Sequence, residues 1–254
     1  MSLLSVNLKD SHDPISLPNS EREVLGGDAM AIERSKGVAL RAKGLADEVY
    51  DVLFKKLLLL EIPAGSRITV DNLVRELGVS QTPIREALGR LEGEGLVVKA
   101  HFVGYSAAPQ ISRQKFDELY ELRLLLEPFA ARRAALNMTS ETLSSLRRIE
   151  LEMSELGTNK RQARYSAFAR LDAAFHDEML AVAGNQLVRE TLAHLHTHFH
   201  IFRLIFRSNV TEDALNEHAA ILAAFDNKDG DAAELAMQAH IARSRDRLMQ
   251  AFTE

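Results

Sequence analysis

After Pro109 the chain reads as one amphipathic helical segment after another, separated only by short joints. This constrains the fold more than any other feature, because each apolar stripe must be buried against a neighbour. Apolar residues three and four apart predict six helices, at about 112–137, 139–157, 160–183, 186–208, 211–227 and 230–252. Breaks fall at Asn137-Met138-Thr139, Gly157-Thr158-Asn159, Ala183-Gly184-Asn185, Ser208-Asn209 and Asp229-Gly230-Asp231. Joints this short favour antiparallel neighbours in a bundle. Val188, Leu192, Leu195, Phe199, Phe202 and Phe206 form one such stripe, read as core.

The front of the chain differs. Residues 1–39 mix Ser, Asn, Asp, Pro and Gly without a sustained apolar period, and are expected to form a mobile arm. Between 40 and 108, Leu45, Val49, Leu53 and Leu57 recur at helical spacing until Pro63-Ala64-Gly65 intervenes. Asp71 is placed to cap a short second helix over 72–77, closed by Gly78. A third helix opens at Ser80-Gln81-Thr82-Pro83 and runs to about Glu92, with Pro83 in the first turn, where its missing N–H costs nothing. Leu96-Val97-Val98 and Val103-Gly104-Tyr105-Ser106 read as two short strands turning around His101.

Composition removes several classes of function. The chain of 254 residues has no cysteine. That excludes a disulfide scaffold, a Cys-ligated zinc finger, an iron–sulfur cluster and a cysteine nucleophile. The longest aliphatic run, 57–60, is far shorter than the roughly 20 residues that span a bilayer. No basic segment followed by an apolar stretch suggests export. A cytoplasmic protein without a membrane partner is expected. The net charge of −5 divides into −2 over 1–40, zero over 41–108 and −3 over 109–254, so bulk charge does not announce a nucleic-acid partner.

Local pattern does point to one. A short helix, a tight turn at Gly78-Val79 and a second helix opening Gln81-Thr82-Pro83-Ile84-Arg85 is helix-turn-helix geometry. Its second helix can enter the major groove by its N-terminal turn, where free N–H groups and the hydroxyls of Ser80 and Thr82 suit phosphate. Gln81 and Arg85 lie one turn apart; Arg pairs with guanine and Gln with adenine. Ile84, Leu88 and Leu91 form the opposite, buried face. The string from Leu77 to Leu88, followed by Leu91-Glu92-Gly93-Glu94-Gly95-Leu96-Val97, resembles the winged-helix motif of GntR-type transcription regulators. The Pro63-Ala64-Gly65-Ser66-Arg67-Ile68 segment looks like that family's link between its first two helices. The resemblance implies DNA contact by Arg75, Ser80, Gln81, Thr82, Arg85 and His101. Gln81 departs from the Arg usual in the family, as does the wing near His101, so operator preference should differ from that of relatives with Arg there.

Seven of nine histidines fall after residue 175. Asp172 and His176 share a helix face, while His218 and His240 sit on inward stripes of two later helices. One carboxylate and three imidazoles from three helices suit Zn²⁺, Ni²⁺ or Mn²⁺ with coordination positions left open. This pattern, with Asn185 after Gly184, Glu217 before His218 and Ile241 after His240, resembles the all-helical FCD effector domain that follows the GntR winged helix. The resemblance implies that these four residues hold a divalent metal and that an organic acid completes the site. Arg123 matches a family Arg facing the pocket, where a guanidinium would pair with a carboxylate; a salt bridge to Glu127 is the alternative. His194, His196, His198 and His200 alternate, so most should be half-exposed, although one could touch the effector. Arg203 and Arg207 follow the face of His196 and His200, and the sequence does not choose between pocket and dimer contact.

The chain is thus expected to be mainly α. A mobile arm (1–39) precedes a winged helix-turn-helix (40–108) of three helices and a β-hairpin, followed by an antiparallel six-helix bundle (109–254). The expected function is a non-enzymatic, ligand-responsive transcription regulator. It acts as a homodimer on a palindromic operator in double-stranded DNA, with a small carboxylic acid as effector. A metal-dependent hydrolase and a metal-stabilised scaffold are the alternatives that use the same Asp/His set.

Overall fold

A computed structural model of the chain describes residues 29–156, 161–204 and 210–252. Residues 1–40 and 41–254 form separate compact units. The expected arm lies outside the described residues up to 28; from Ala29 the backbone is helical and enters α1 (Ala29–Leu58), a longer helix than the periodicity predicts.

In the second unit, α1 buries Ala46, Val49, Leu53, Phe54 and Leu57. β1 (Arg67–Ile68) leads into α2 (Val70–Leu77), which starts after Thr69 rather than Asp71. Gly78 ends α2 at φ 67°, and its N–H donates to the Val74 carbonyl; only glycine adopts this left-handed turn without steric cost. α3 (Gln81–Gly93) buries Ile84, Leu88 and Leu91 completely, each contributing about 1.5–3 kcal/mol to holding the helix on the head. β2 (Val97–Ala100) and β3 (Gly104–Ala107) form the expected hairpin. β1 pairs with β3 as well, giving an antiparallel sheet in the order β1-β3-β2, with Ile68 opposite Tyr105 and Lys99 opposite Tyr105 on the other side. This third strand was not foreseen, because two residues carry no period.

The rest is helical. α4 (Arg113–Asn137) is capped by Ser112, α5 (Ser140–Ser154) by a Thr139–Thr142 capping box, and α6 (Arg161–Ala183) follows. α7 (Gln186–His194) is capped by Asn185; then come α8 (Thr197–Phe202), α9 (Val210–Asp226) and α10 (Gly230–Met249), with a 3-10 turn at Gln250–Phe252. α4 packs along α10 and α6, α5 against α6 and α9, and α9 against α10. Phe168, Phe175, Met179, Ile221, Phe225, Met237 and Ile241 fill the space between them.

One expected helix is broken. The segment 186–208 divides at Leu195-His196, where His196 adopts φ 47° and ψ 36°. Apolar spacing continues across the break, so the stripe gave no warning; Phe206, its last member, lies outside the described residues. The break redirects α8, and with it His198, toward α6.

Candidate functional site

Five helices bring polar side chains to the centre of the bundle. Asp172 and His176 come from α6, His218 from α9 and His240 from α10, all buried. One ring nitrogen each of His176, His218 and His240 lie within 4.8 Å of one another. The His218 Nε2 is 3.5 Å from Asp172 Oδ1. The four residues singled out from the sequence therefore meet. α8 adds His198, whose Nδ1 donates to Asp172 Oδ2 at 2.8 Å, so Asp172, His176 and His198 form an overlapping cluster.

A ring of partners orients the imidazoles. His176 Nδ1 donates to Glu127 Oε2 at 2.7 Å, and His240 Nδ1 donates to Glu217 Oε2 at 2.9 Å. Glu127 also accepts from Arg123, and Glu217 from both terminal nitrogens of Arg247 at 2.7 and 2.9 Å. With Nδ1 protonated, His176 turns a bare Nε2 inward, the tautomer that a carboxylate imposes on a metal-binding histidine. That Nε2 and both nitrogens of His218 are buried without a hydrogen-bond partner. Orphaned buried nitrogens are rare and costly; beside a carboxylate they form a donor set that fits a divalent cation.

Electrostatics point the same way. Burial draws the His176 imidazole down to about 4 and His218 well below its ordinary value, keeping both neutral, the form that ligates metal. Burial opposes charge on Asp172, yet the hydrogen bond from His198 keeps its carboxyl well below the ordinary range. Glu217 likewise falls to about 2 despite burial, chiefly through Arg247. Arg123 makes the salt bridge to Glu127 that sequence offered as its alternative role. It also lines a small inner cavity with Asp172, His198, His240, Ser244 and Arg247. A larger cleft of about 290 Å³ borders the centre on the side of α8, lined among others by Glu94, Glu127, His176, His196 and His198. Sequence reasoning named Glu217 only as the neighbour of His218, and left His198 among four alternating histidines of which one could touch the effector, without giving either a place in this constellation. Adjacency to His218 was the only signal for the first, and the helix break concealed the second.

The second face is on the head. Arg75, Ser80, Gln81, Thr82, Arg85 and His101 are all exposed. Gln81 Nε2 donates to Asp71 Oδ1 at 3.0 Å, and Arg85 donates to Gln81 Oε1 at 3.2 Å, so the two candidate base readers lie side by side. Arg75 donates to Asn72. The Ser80 side chain makes no capping bond, leaving the first turn of α3 to other acceptors. At the hairpin tip Phe102 is 96% exposed at φ 61°, with its ring against His101 and Val103 beside it. Sequence reasoning did not single out Phe102.

Comparison with known proteins supplies the context. Residues 45–105 match the model for bacterial regulatory proteins of the gntR family, and residues 118–243 match the FCD domain. The chain is 30% identical to the Nta operon transcriptional regulator of Aminobacter aminovorans over 73% of its own length and 86% of that protein. It is 26% identical to the HTH-type transcriptional repressor RspR of Escherichia coli K12 over 76% of its length and 84% of the relative. The solved structure of E. coli McbR/YncC superposes with a TM-score of 0.63 at 20% identity, covering 82% of this chain and 98% of that one.

Proposed function

This chain belongs to the gntR family of bacterial regulatory proteins with an FCD domain, a DNA-binding transcription regulator, and on that premise we propose that a metal and a small organic acid control its grip on DNA. Asp172, His176, His218 and His240 hold a divalent cation of the Zn²⁺, Ni²⁺ or Mn²⁺ kind. The acid takes the remaining coordination positions, with Arg123 on the cavity wall beside it. The observation that carries this reading is the set of buried, unpartnered nitrogens on His176 and His218 next to Asp172. When bound, the cation supplies a positive centre for the acid's carboxylate. The protein's residues orient the ligands and exclude water. Glu127 and Glu217 are each occupied by an Arg and an imidazole, which leaves neither as the general base a hydrolase needs.

On the DNA side, α3 enters the major groove with Gln81 and Arg85 on base edges, while Arg75, Ser80 and Thr82 meet phosphates. The wing lies along the adjacent minor groove, with His101 and Phe102 leading. A homodimer presents two such heads to a palindromic operator. The direct test of the sensor is elemental analysis of the purified chain and of His218→Ala. One metal per wild-type chain and a large loss in the variant are expected; a fully loaded variant would refute the ligand assignment.

A further inference from the structure

The short helix α8 has contacts in two directions. Inward, His198 donates to Asp172 at 2.8 Å, and its ring lies 4.5 Å from that of His176. Toward the head, His196 sits so close to Gly95 that a Cβ on that glycine would lie 2.3 Å from the imidazole Cδ2. Phe199 packs edge-on against Phe54 of α1 at 5.3 Å. Arg203, just past the helix end, donates to the carbonyls of Ala108 at 2.7 Å and Pro109 at 3.3 Å, in the link between β3 and α4. Gln110 in the same link donates back to the Arg203 carbonyl. His196 holds the left-handed conformation, which is uncommon for a residue with a β-carbon, and it does so in contact with Gly95. His196, His198 and Phe199 face the 290 Å³ cleft, which gives α8 room to shift.

We propose that α8 is the element that couples the bundle centre to the reading head; this rests on the metal reading above and names the regulation of that same site. His198 holds Asp172 Oδ2 while Oδ1 faces His218, and a cation drawing charge from that carboxylate makes it a poorer acceptor. Filling the centre in this way loosens the hydrogen bond that holds α8 inward. The helix then changes its seat on Gly95, Phe54 and the 108–110 link, and the head moves with those contacts. Asp172 and the head thus bias one two-state element, which is the physical requirement for linkage between distant sites.

The test compares the full chain with Gly95→Ala and Gly65→Ala. Both glycines lie in the left-handed region, at φ 68° and 73°, so the variants carry a similar backbone penalty. A Cβ at 65 meets nothing within 4 Å, whereas one at 95 displaces the His196 ring. Affinity is measured for a duplex recovered by binding selection from a random pool, before and after loading with Zn²⁺ alone, and bound zinc is counted. One zinc per chain is expected in all three proteins. Zinc should change Kd about 5-fold or more in the wild type and in Gly65→Ala, and leave it unchanged in Gly95→Ala. A zinc-loaded wild type with unaltered Kd, or a Gly95→Ala protein responding as fully as wild type, overturns the coupling role and leaves the metal centre standing. A wild type that takes up no zinc removes both. If Gly95→Ala does not fold, Phe199→Leu withdraws the edge contact on Phe54 instead; a reduced zinc response is expected, and an undiminished one overturns the proposal.

Discussion

Arg85 is exposed and donates to Gln81 at 3.2 Å across one turn of α3, which puts the two proposed base readers in contact. Replacing Arg85 with Ala should cost about 1–3 kcal/mol of specific binding and relax one operator position; binding assays on single-base operator variants measure both, and unchanged specificity would remove Arg85 from the reading face. A second expectation concerns protons. His176 and His200 are each drawn to about 4, mainly by burial, from an ordinary value of 6.5. Between those values the unfolded chain binds more protons than the folded one, so stability is fully present above about pH 6.5 and falls as pH drops toward 4. Thermal unfolding of chelator-treated protein from pH 7.5 to 4.5 should show that decline, and His200→Gln should flatten it. A melting temperature indifferent to acid would contradict the burial of neutral imidazoles.

Among the elements, the wing carries a prediction of its own. Phe102 combines almost complete exposure with a left-handed backbone, a combination that packing within the chain does not repay. Contact with a minor groove would repay it, because apolar wedges there gain from stacking on sugars or base steps. Phe102→Ala should weaken operator binding about 10-fold and leave melting unchanged or slightly improved; wild-type affinity in the variant would take the wing tip out of the interface. The elements also separate what could be read in advance from what could not. α3, the hairpin and most bundle helices declared themselves by period, by Pro83 and by the short joints between apolar stripes, and the structure shows Ser112, Thr139, Asn185 and Asp229 capping the helices that follow those joints. β1 is too short to have a period. The break at His196 coincides with tertiary contacts, His196 against Gly95 and His198 on Asp172, which no local pattern encodes.

For the molecule as a whole, the meeting of Asp172, His176, His218 and His240 was legible because Asp172 and His176 share a face of α6, His218 and His240 sit on inward stripes of α9 and α10, and the whole pattern resembles the FCD domain. Their supports Glu127, Glu217 and His198 were less so, since a charged residue at such a position reads equally well as an ordinary surface ion pair. In the proposed coupling this centre and the reading head share one equilibrium, and linkage demands that their influence be mutual. The most direct measurement is zinc affinity, determined by chelator competition on the full chain with and without saturating operator duplex. Operator should shift zinc affinity by the same factor by which zinc shifts operator affinity. Identical zinc affinities in the two conditions would contradict the claim.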